Sequence, residues 1–133
     1  MALQLEVVTP DGAVVSTQAD YLGIPGSNGN FGILPGHVSM LTSLDIGVLF
    51  YDSEGVRHNV FVAGGFVEVN DNKVIVLAEI AEKAENINTS RAEHARQRAK
   101  ERLDQLRNDS SIDAARAQQA LTRAIKRLNI ARL

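Results

Sequence analysis

Four arginines in the last third of the chain are spaced so that they could act together: Arg91, Arg98, Arg123 and Arg127. Arg91 and Arg98 are seven residues apart and Arg123 and Arg127 four apart, so each pair shares one face of a helix. If two helices fold back antiparallel about residue 109, Arg91 falls level with Arg127, and Arg98 lies within two turns of Arg123. Guanidinium forks match phosphate oxygens, so the four would converge on a polyanion. The competing reading is a solvated basic face, partnered by Glu93, Glu101 and Asp104.

Other residue sets carry less chemistry. Gly26, Gly29, Gly32 and Gly36 form a loose run, but no Lys-Ser/Thr follows and no amphipathic helix opens there. A phosphate cradle needs both, so these read as turn glycines. A nucleophilic set around His37 would need Ser39 or Ser43 with Asp45, all from one loop and without an elbow motif. His37 reads as a structural or interface histidine. Glu79 and Glu82 stand three apart and read as solvated carboxylates at an element's end, against an acid–base pair. His37, His58 and His94 lack metal-ligand spacing, and the chain has no cysteine, hence no disulfide or thiolate chemistry.

The elements that must position the arginines follow from a single change in composition. Every glycine, proline and aromatic residue lies before residue 67. Residues 1–84 carry ten acidic and three basic side chains, net −7; residues 85–133 carry six acidic and eleven basic, net +5. The overall charge of −2 hides an acidic front module joined to a basic tail, and two such parts face different partners. No stretch approaches the roughly 18 apolar residues of a membrane span, and the N-terminus shows no basic, apolar leader pattern.

In the front module, short apolar segments at 3–9, 14–16, 21–24, 31–34, 46–51, 56–63, 66–69 and 73–78 alternate with turn signals such as Pro10-Asp11-Gly12. This is the pattern of a β-sandwich or barrel. Gly64-Gly65 is expected to mark a bulge between two strands. Residues 74–78 are apolar on both faces, so that strand lies centrally or is covered by the tail or a partner.

The tail reads as two helices. Asn88 caps the first, over 89–107; residues 108–111 break it; Ser110 with Asp113 forms a weak capping box for the second, to about 129. Ala92, Ala95, Ala99, Leu103 and Leu106 form one seam, and Ala114, Ala117, Leu121, Ala124, Leu128 and Ala131 the other. The fold class is thus mixed, β then α, with an antiparallel two-helix hairpin at the C-terminus. At about 0.8 kcal/mol per buried CH2, an alanine seam holds weakly. The hairpin is therefore expected to detach and open while each helix stays formed.

Four segments carry a family resemblance: residues 7–12 (VVTPDG), 31–37 (FGILPGH), 64–69 (GGFVEV) and 87–92 (INTSRA). With their order and the strand-to-helix switch, the chain resembles the epsilon subunit of bacterial F-type ATP synthase over nearly its whole length. The resemblance implies a β-sandwich of about ten strands at the foot of the central stalk, between the gamma subunit and the c-ring. It also implies a hairpin that folds down or extends along gamma towards the alpha and beta subunits and inhibits ATP hydrolysis. Such a protein is no enzyme. It would sit peripherally on the cytoplasmic face of the cell membrane, touching the membrane only through the complex.

The resemblance places Asn28, Asn30 and His37 on the side facing the c-ring, with asparagines where relatives often carry Glu. In some bacterial members the folded hairpin binds ATP as a regulatory ligand, with no cofactor required. By the same matching, Glu82, Asn88, Arg91, Ala92, Arg98, Arg123 and Arg127 fall on that site, Asn88 standing where Asp is usual. Asn caps a helix as well as Asp but is a poorer, neutral acceptor for an adenine amino group. The alternative from a different class is a nucleic-acid-binding module using the basic hairpin. Against it, the tail has no aromatic for base stacking and the acidic front would repel the ligand.

Overall fold

A computed structural model of the protein describes residues 2–106 and 113–131. Eight strands come first: β1 (Leu3–Thr9), β2 (Gly12–Ala19), β3 (Tyr21–Gly26), β4 (Gly29–Ile33), β5 (Met40–Ser43), β6 (Gly47–Ser53), β7 (Val56–Asn70) and β8 (Lys73–Lys83). A 3-10 turn (Ala84–Asn86) leads to α1 (Thr89–Gln105) and α2 (Ala114–Ala131).

The strands form one sheet in the order β2-β1-β8-β7-β6-β3-β4, with β5 also on β7. All pairs are antiparallel except β1 with β8, which is parallel. Inward side chains alternate as period-2 patterning requires: Leu3, Leu5 and Val7 on β1 meet Val74, Val76 and Ala78 on β8 and Val67 and Val69 on β7 in one buried cluster. Leu22, Ile24, Ile33 and Leu49 from the other end of the sheet join that cluster, so the sheet folds over and encloses a single core.

The fold-over is made at a crease. Gly64 and Gly65 have φ of 73° and 115°. They do not separate two strands, nor do they insert an extra residue. The β7–β8 register is the same on both sides, Ala63 opposite Ile80 and Gly65 opposite Ala78. The expected bulge between strands is therefore a kink inside one 15-residue strand. Along the other edge of β7, β6 pairs before the kink and β5 after it. Because β7 and β8 each run through the crease, the structure has eight strands where the family resemblance implied about ten. The strand β5, which the sequence pattern left unassigned, takes the place gained by fusing 56–63 with 66–69.

The turn reading of the glycine run is half right. Gly29 and Gly36 have positive φ. Gly26 and Gly32 instead lie inside β3 and β4. A Cβ on Gly32 would meet the Tyr21 hydroxyl, and one on Gly23 the Phe50 ring, so these strand glycines make room for aromatic side chains lying across them.

Burial pushes the Tyr51 phenol above its ordinary range, and the negative charge of Glu85 adds to this. Its ring stacks on His58 at 4.8 Å. At the far end of β6, Arg57 donates two hydrogen bonds to Asp52, at 2.8 and 3.0 Å, and its guanidinium lies over Phe50. The hydrogen bonds hold the Asp52 carboxyl below its usual range. What this solvent-screened pair adds to stability is present above pH ~4 and fades as the pH falls through the lowered folded value.

Asn88 caps α1 as expected: its Oδ1 accepts from the Arg91 N–H at 3.0 Å. The α2 cap differs. Asp113 itself accepts from the Arg116 N–H at 3.0 Å, so the helix starts at Ala114. Ser110, Arg107 and the 108–111 break lie outside the described residues. Between the helices the buried seam residues are Ala92 and Ala99 on α1 and Ala117, Ala124 and Leu128 on α2.

The crease makes a sharp stability prediction. A Cβ on Gly65 would come within 1.9 Å of the Leu77 carbonyl oxygen, and φ is positive as well. Gly65→Ala is expected to destabilise the sandwich by about 3 kcal/mol or more, and Gly55→Ala, in an open turn, by only about 1 kcal/mol, measured by urea unfolding.

Candidate functional site

The hairpin rests on the outer face of the sheet. On β7, Val60 and Val62 point into the sandwich core while Phe61 and Ala63 point outward. Phe61 and Ala63 are nevertheless buried, because Ile130 of α2 and Ile87 of the linker cover them, with Val48 and Ile80 at the margin. The β8 segment itself lies centrally, between β1 and β7, the first of the two placements its apolar faces implied. Leu77 in that segment stays 56% exposed, and the tail covers β7 instead. The seam pattern missed Ile130, since it lies off the alanine line that faces α1. Its signal was a lone β-branched apolar residue on the far side of a small-residue seam.

Beside this seat the two modules are pinned by charge. Arg127 of α2 donates from Nη2 to Glu82 Oε1 of β8 at 3.1 Å, and its guanidinium sits 4.6 Å from the centre of the Phe61 ring. Both partners are partly shielded from solvent. Among the described residues the buried Arg127 Nε has no hydrogen-bond partner.

Around this ion pair opens a cleft of about 230 Å³, lined by Glu82, Asn88, Arg91, Ala92, Arg98 and Arg127, with Asn86 and Ala95 completing it. The 3-10 turn positions Asn86, the Asn88 cap places Arg91 on the first turn of α1, and Ala95 and Arg98 follow one and two turns on. The level match of Arg91 with Arg127 is realised. Arg123 is elsewhere: it shares a neighbouring cleft with Arg98, higher in the hairpin. The sequence reading missed Asn86, whose backbone position depends on the turn, and Ala95, whose role as wall follows from standing four residues after Arg91. Chemically the cleft offers three guanidiniums, one carboxylate already paired, and two side-chain amides. It combines anion affinity with hydrogen-bonding groups in one cleft.

The residues named for the c-ring side fall in three settings. Asn28 is in the exposed β3–β4 turn, whose Ser27 hydroxyl bonds Ser43 at 2.6 Å at the end of β5. His37 lies in the loop before β5, with Nδ1 2.7 Å from the Val38 carbonyl; Gly36 N–H donates to Asn72 Oδ1 and Ser39 to Asn70. Asn30 is on β4, at the rim of a shallow aromatic depression with Tyr21 and Phe50. Ser39, Ser43 and Asp45 engage Asn70, Ser27 and the Ile46 N–H respectively, so no nucleophilic set forms with His37. Among the described residues no group of three or more metal-binding side chains forms, and no helix is long and apolar enough to cross a membrane.

A β-sandwich carrying a lightly seated, basic helical hairpin defines a delta/epsilon-type stalk subunit. The family model described as ATP synthase, Delta/Epsilon chain, beta-sandwich domain matches residues 2–84, and that of the long alpha-helix domain matches residues 85–132. An ATP synthase epsilon chain from Nitratidesulfovibrio vulgaris is 53% identical over 129 residues, covering 97% of this chain and 95% of the relative. One from Desulfitobacterium hafniense is 44% identical over 128 residues, covering 96% and 95%. Among solved structures, a chain of the Euglena gracilis mitochondrial ATP synthase (OSCP/F1/c-ring) has the same fold, with a TM-score of 0.79 at 22% identity, covering 94% of this chain and 78% of that one. The chain belongs to the epsilon-chain family of ATP synthase: it is a central-stalk subunit, structural and regulatory rather than catalytic. The nucleic-acid-binding alternative finds no support.

Three substitutions at two positions separate the seat from the cap. Ile130→Ala removes about 2–4 kcal/mol of apolar contact from the hairpin's seat. Amide exchange in α2 is expected to quicken while the urea midpoint of the sandwich stays put. Asn88→Ala is expected to lower the stability of α1 by about 1 kcal/mol, read by circular dichroism on heating, and Asn88→Asp to leave it nearly unchanged.

Proposed function

We propose that the hairpin is a movable arm of the epsilon subunit, folded on the sandwich when ATP occupies the Arg91–Arg127 cleft and free to extend when it does not. The observation that carries this is the cleft itself. Its walls come from β8, the linker, α1 and α2 together, so a ligand bound there touches every part that must separate on opening. The phosphates would meet Arg91, Arg98 and Arg127, and the base would meet Glu82 and Asn88. Arg127 would exchange Glu82 for phosphate, which frees the Glu82 carboxylate to accept from the adenine amino group.

Asn88 sets the strength of this site. Its Oδ1 is committed to the helix cap, which leaves chiefly its NH2 to face a base. An Asp in its place would cap with one oxygen and accept with the other. ATP therefore binds more weakly than to a relative with Asp at this position.

The partners follow the surface. On the outer face of the β5–β7–β8–β1 part of the sheet, Phe66 and Leu77 are cross-strand neighbours, each 56% exposed. Leu41 of β5, on the same face and opposite Glu68, is 69% exposed. A contiguous exposed apolar face of this kind is an interaction surface, and gamma is its occupant in this reading. The exposed turn at Asn28 and the His37 loop, with Leu34 and Val38, would face the c-ring. The extended hairpin, net +5, would reach acidic surface on the alpha and beta subunits and hold back ATP hydrolysis. The subunit would thus lie peripherally on the cytoplasmic side of the cell membrane and help transmit rotation.

Calorimetric titration of the isolated protein with Mg-ATP tests the nucleotide switch. A saturable heat that Arg91→Ala removes and Asn88→Asp tightens by about tenfold is expected, that factor corresponding to about 1.4 kcal/mol. No heat at millimolar ATP would remove the nucleotide from this account. Separately, Phe66→Asp with Leu77→Asp is expected to abolish co-purification with gamma and leave the ATP titration unchanged.

A further inference from the structure

Higher in the hairpin, on the far side of Arg98, a second cleft of about 200 Å³ lies between α1 and α2. Its lining is Arg98 and Arg102 from α1, Arg116 and Arg123 from α2, and otherwise only alanines. Among the described residues no carboxylate lines it. Among the described residues none of these four guanidiniums makes an ion pair, whereas the hairpin's Arg96 and Arg127 each have one, to Glu93 and Glu82. Glu101, next in sequence to Arg102, accepts instead from Gln97. Among the described residues, four like charges thus face one small-residue groove with no ion-pair partner.

We propose that this groove is a second anion site, built for a condensed inorganic phosphate: a short linear chain of phosphates bridging the two helices. Three features point to that chemistry. The charges form two rows, Arg98 and Arg102 one turn apart on α1, and Arg116 and Arg123 two turns, or about 10 Å, apart on α2. An extended polyanion spans such rows, and a single phosphate does not. Guanidinium forks bind tetrahedral phosphate oxygens in pairs, so each phosphate unit finds donors from both helices. Finally, the walls between the arginines are methyl groups. They offer no hydrogen-bonding or stacking group that would hold a nucleotide base, and no groove for the side chains of an acidic peptide.

Occupancy has a mechanical consequence. Empty, the groove sets like charges across a seam of Ala99 and Ala117, which weakens the hairpin. Filled, it ties α1 to α2 at a level independent of the sandwich, so the ligand favours the closed hairpin in proportion to its concentration over its dissociation constant.

The test is calorimetric titration of the full chain with sodium tripolyphosphate at low ionic strength, with amide exchange at the seam read in parallel. In an Arg91→Ala background, which disables the cleft beside the sandwich, the expected result is one saturable site, weakened at least about tenfold by adding Arg102→Ala with Arg116→Ala, with slower exchange at Ala99 and Ala117 on binding. Both replacements favour helix, so loss of binding with an unchanged circular dichroism spectrum reports the site and not the fold. Sulfate at equal ionic strength, or a short polyglutamate peptide, reproducing the full effect would overturn the proposal, the first by showing screening and the second by showing an acidic-peptide site. So would tripolyphosphate binding lost in Arg91→Ala but intact in the Arg102/Arg116 variant, which would place the anion in the cleft beside the sandwich.

Discussion

Four consecutive residues of β7, Val60 to Ala63, are buried although a strand in a solvated sheet should bury only every second one. Val60 and Val62 close the sandwich core; Phe61 and Ala63 form the seat of the hairpin. The contacts between the two modules centre on this point. Phe61 stacks against the Arg127 guanidinium as well as supporting Ile130, so the apolar seat and the ionic clasp share one side chain. The seat is small. It takes one end of α2 and the linker, while α1 rests chiefly on α2 through alanines. A seat this small would let the proposed opening leave the core behind it intact.

The sandwich is stiff for the complementary reason. Its long strands run unbroken through the crease at Gly64 and Gly65, where backbone of β8 fills the space a side chain would need. The register is continuous on either side, and β5 and β6 share the same edge. A rotor component that carries torque between partners needs such a body. A hairpin that opens, as proposed above, needs the opposite. The two requirements are met by two compositions in one chain: β-branched and aromatic residues with glycine at the bends in the first part, and alanine and arginine in the second.

Charge divides the hairpin along its length. Near the sandwich, Glu82 balances Arg127, and the cleft holds amides as well as guanidiniums. Further out, Arg98, Arg102, Arg116 and Arg123 face each other over alanines, with no counter-charge among the described residues. Arg98 lines both clefts, so the balanced and unbalanced halves adjoin without a gap. Small seam residues make this possible, because they bring the helices close enough for side chains from both to reach the same ligand.

Much of this was legible from residue order. The switch near residue 84, the Asn88 cap, the alanine seams and the pairing of Arg91 with Arg127 all follow from local rules: turn chemistry, side-chain hydrogen bonding at helix ends, and the 3.6-residue period. Local rules failed where the deciding contact was distant in sequence. Gly64-Gly65 carries a turn signal, yet pairing with β8 and with β5–β6 holds the strand together through it. Gly32 looks like a turn residue until Tyr21 lies across it. Ile130 and Phe61, 69 positions apart, show no mark of belonging to one cluster, and nothing in the spacing tells that Arg123 turns to the outer cleft while Arg127 reaches Glu82. The amino-acid sequence alone determined two modules, their element types and which residues carry charge, because those depend on neighbours a few positions away. Only the tertiary structure decided which face of β7 the hairpin covers and how the arginines divide between two clefts. Both are settled by packing between surfaces that meet only after the chain has folded.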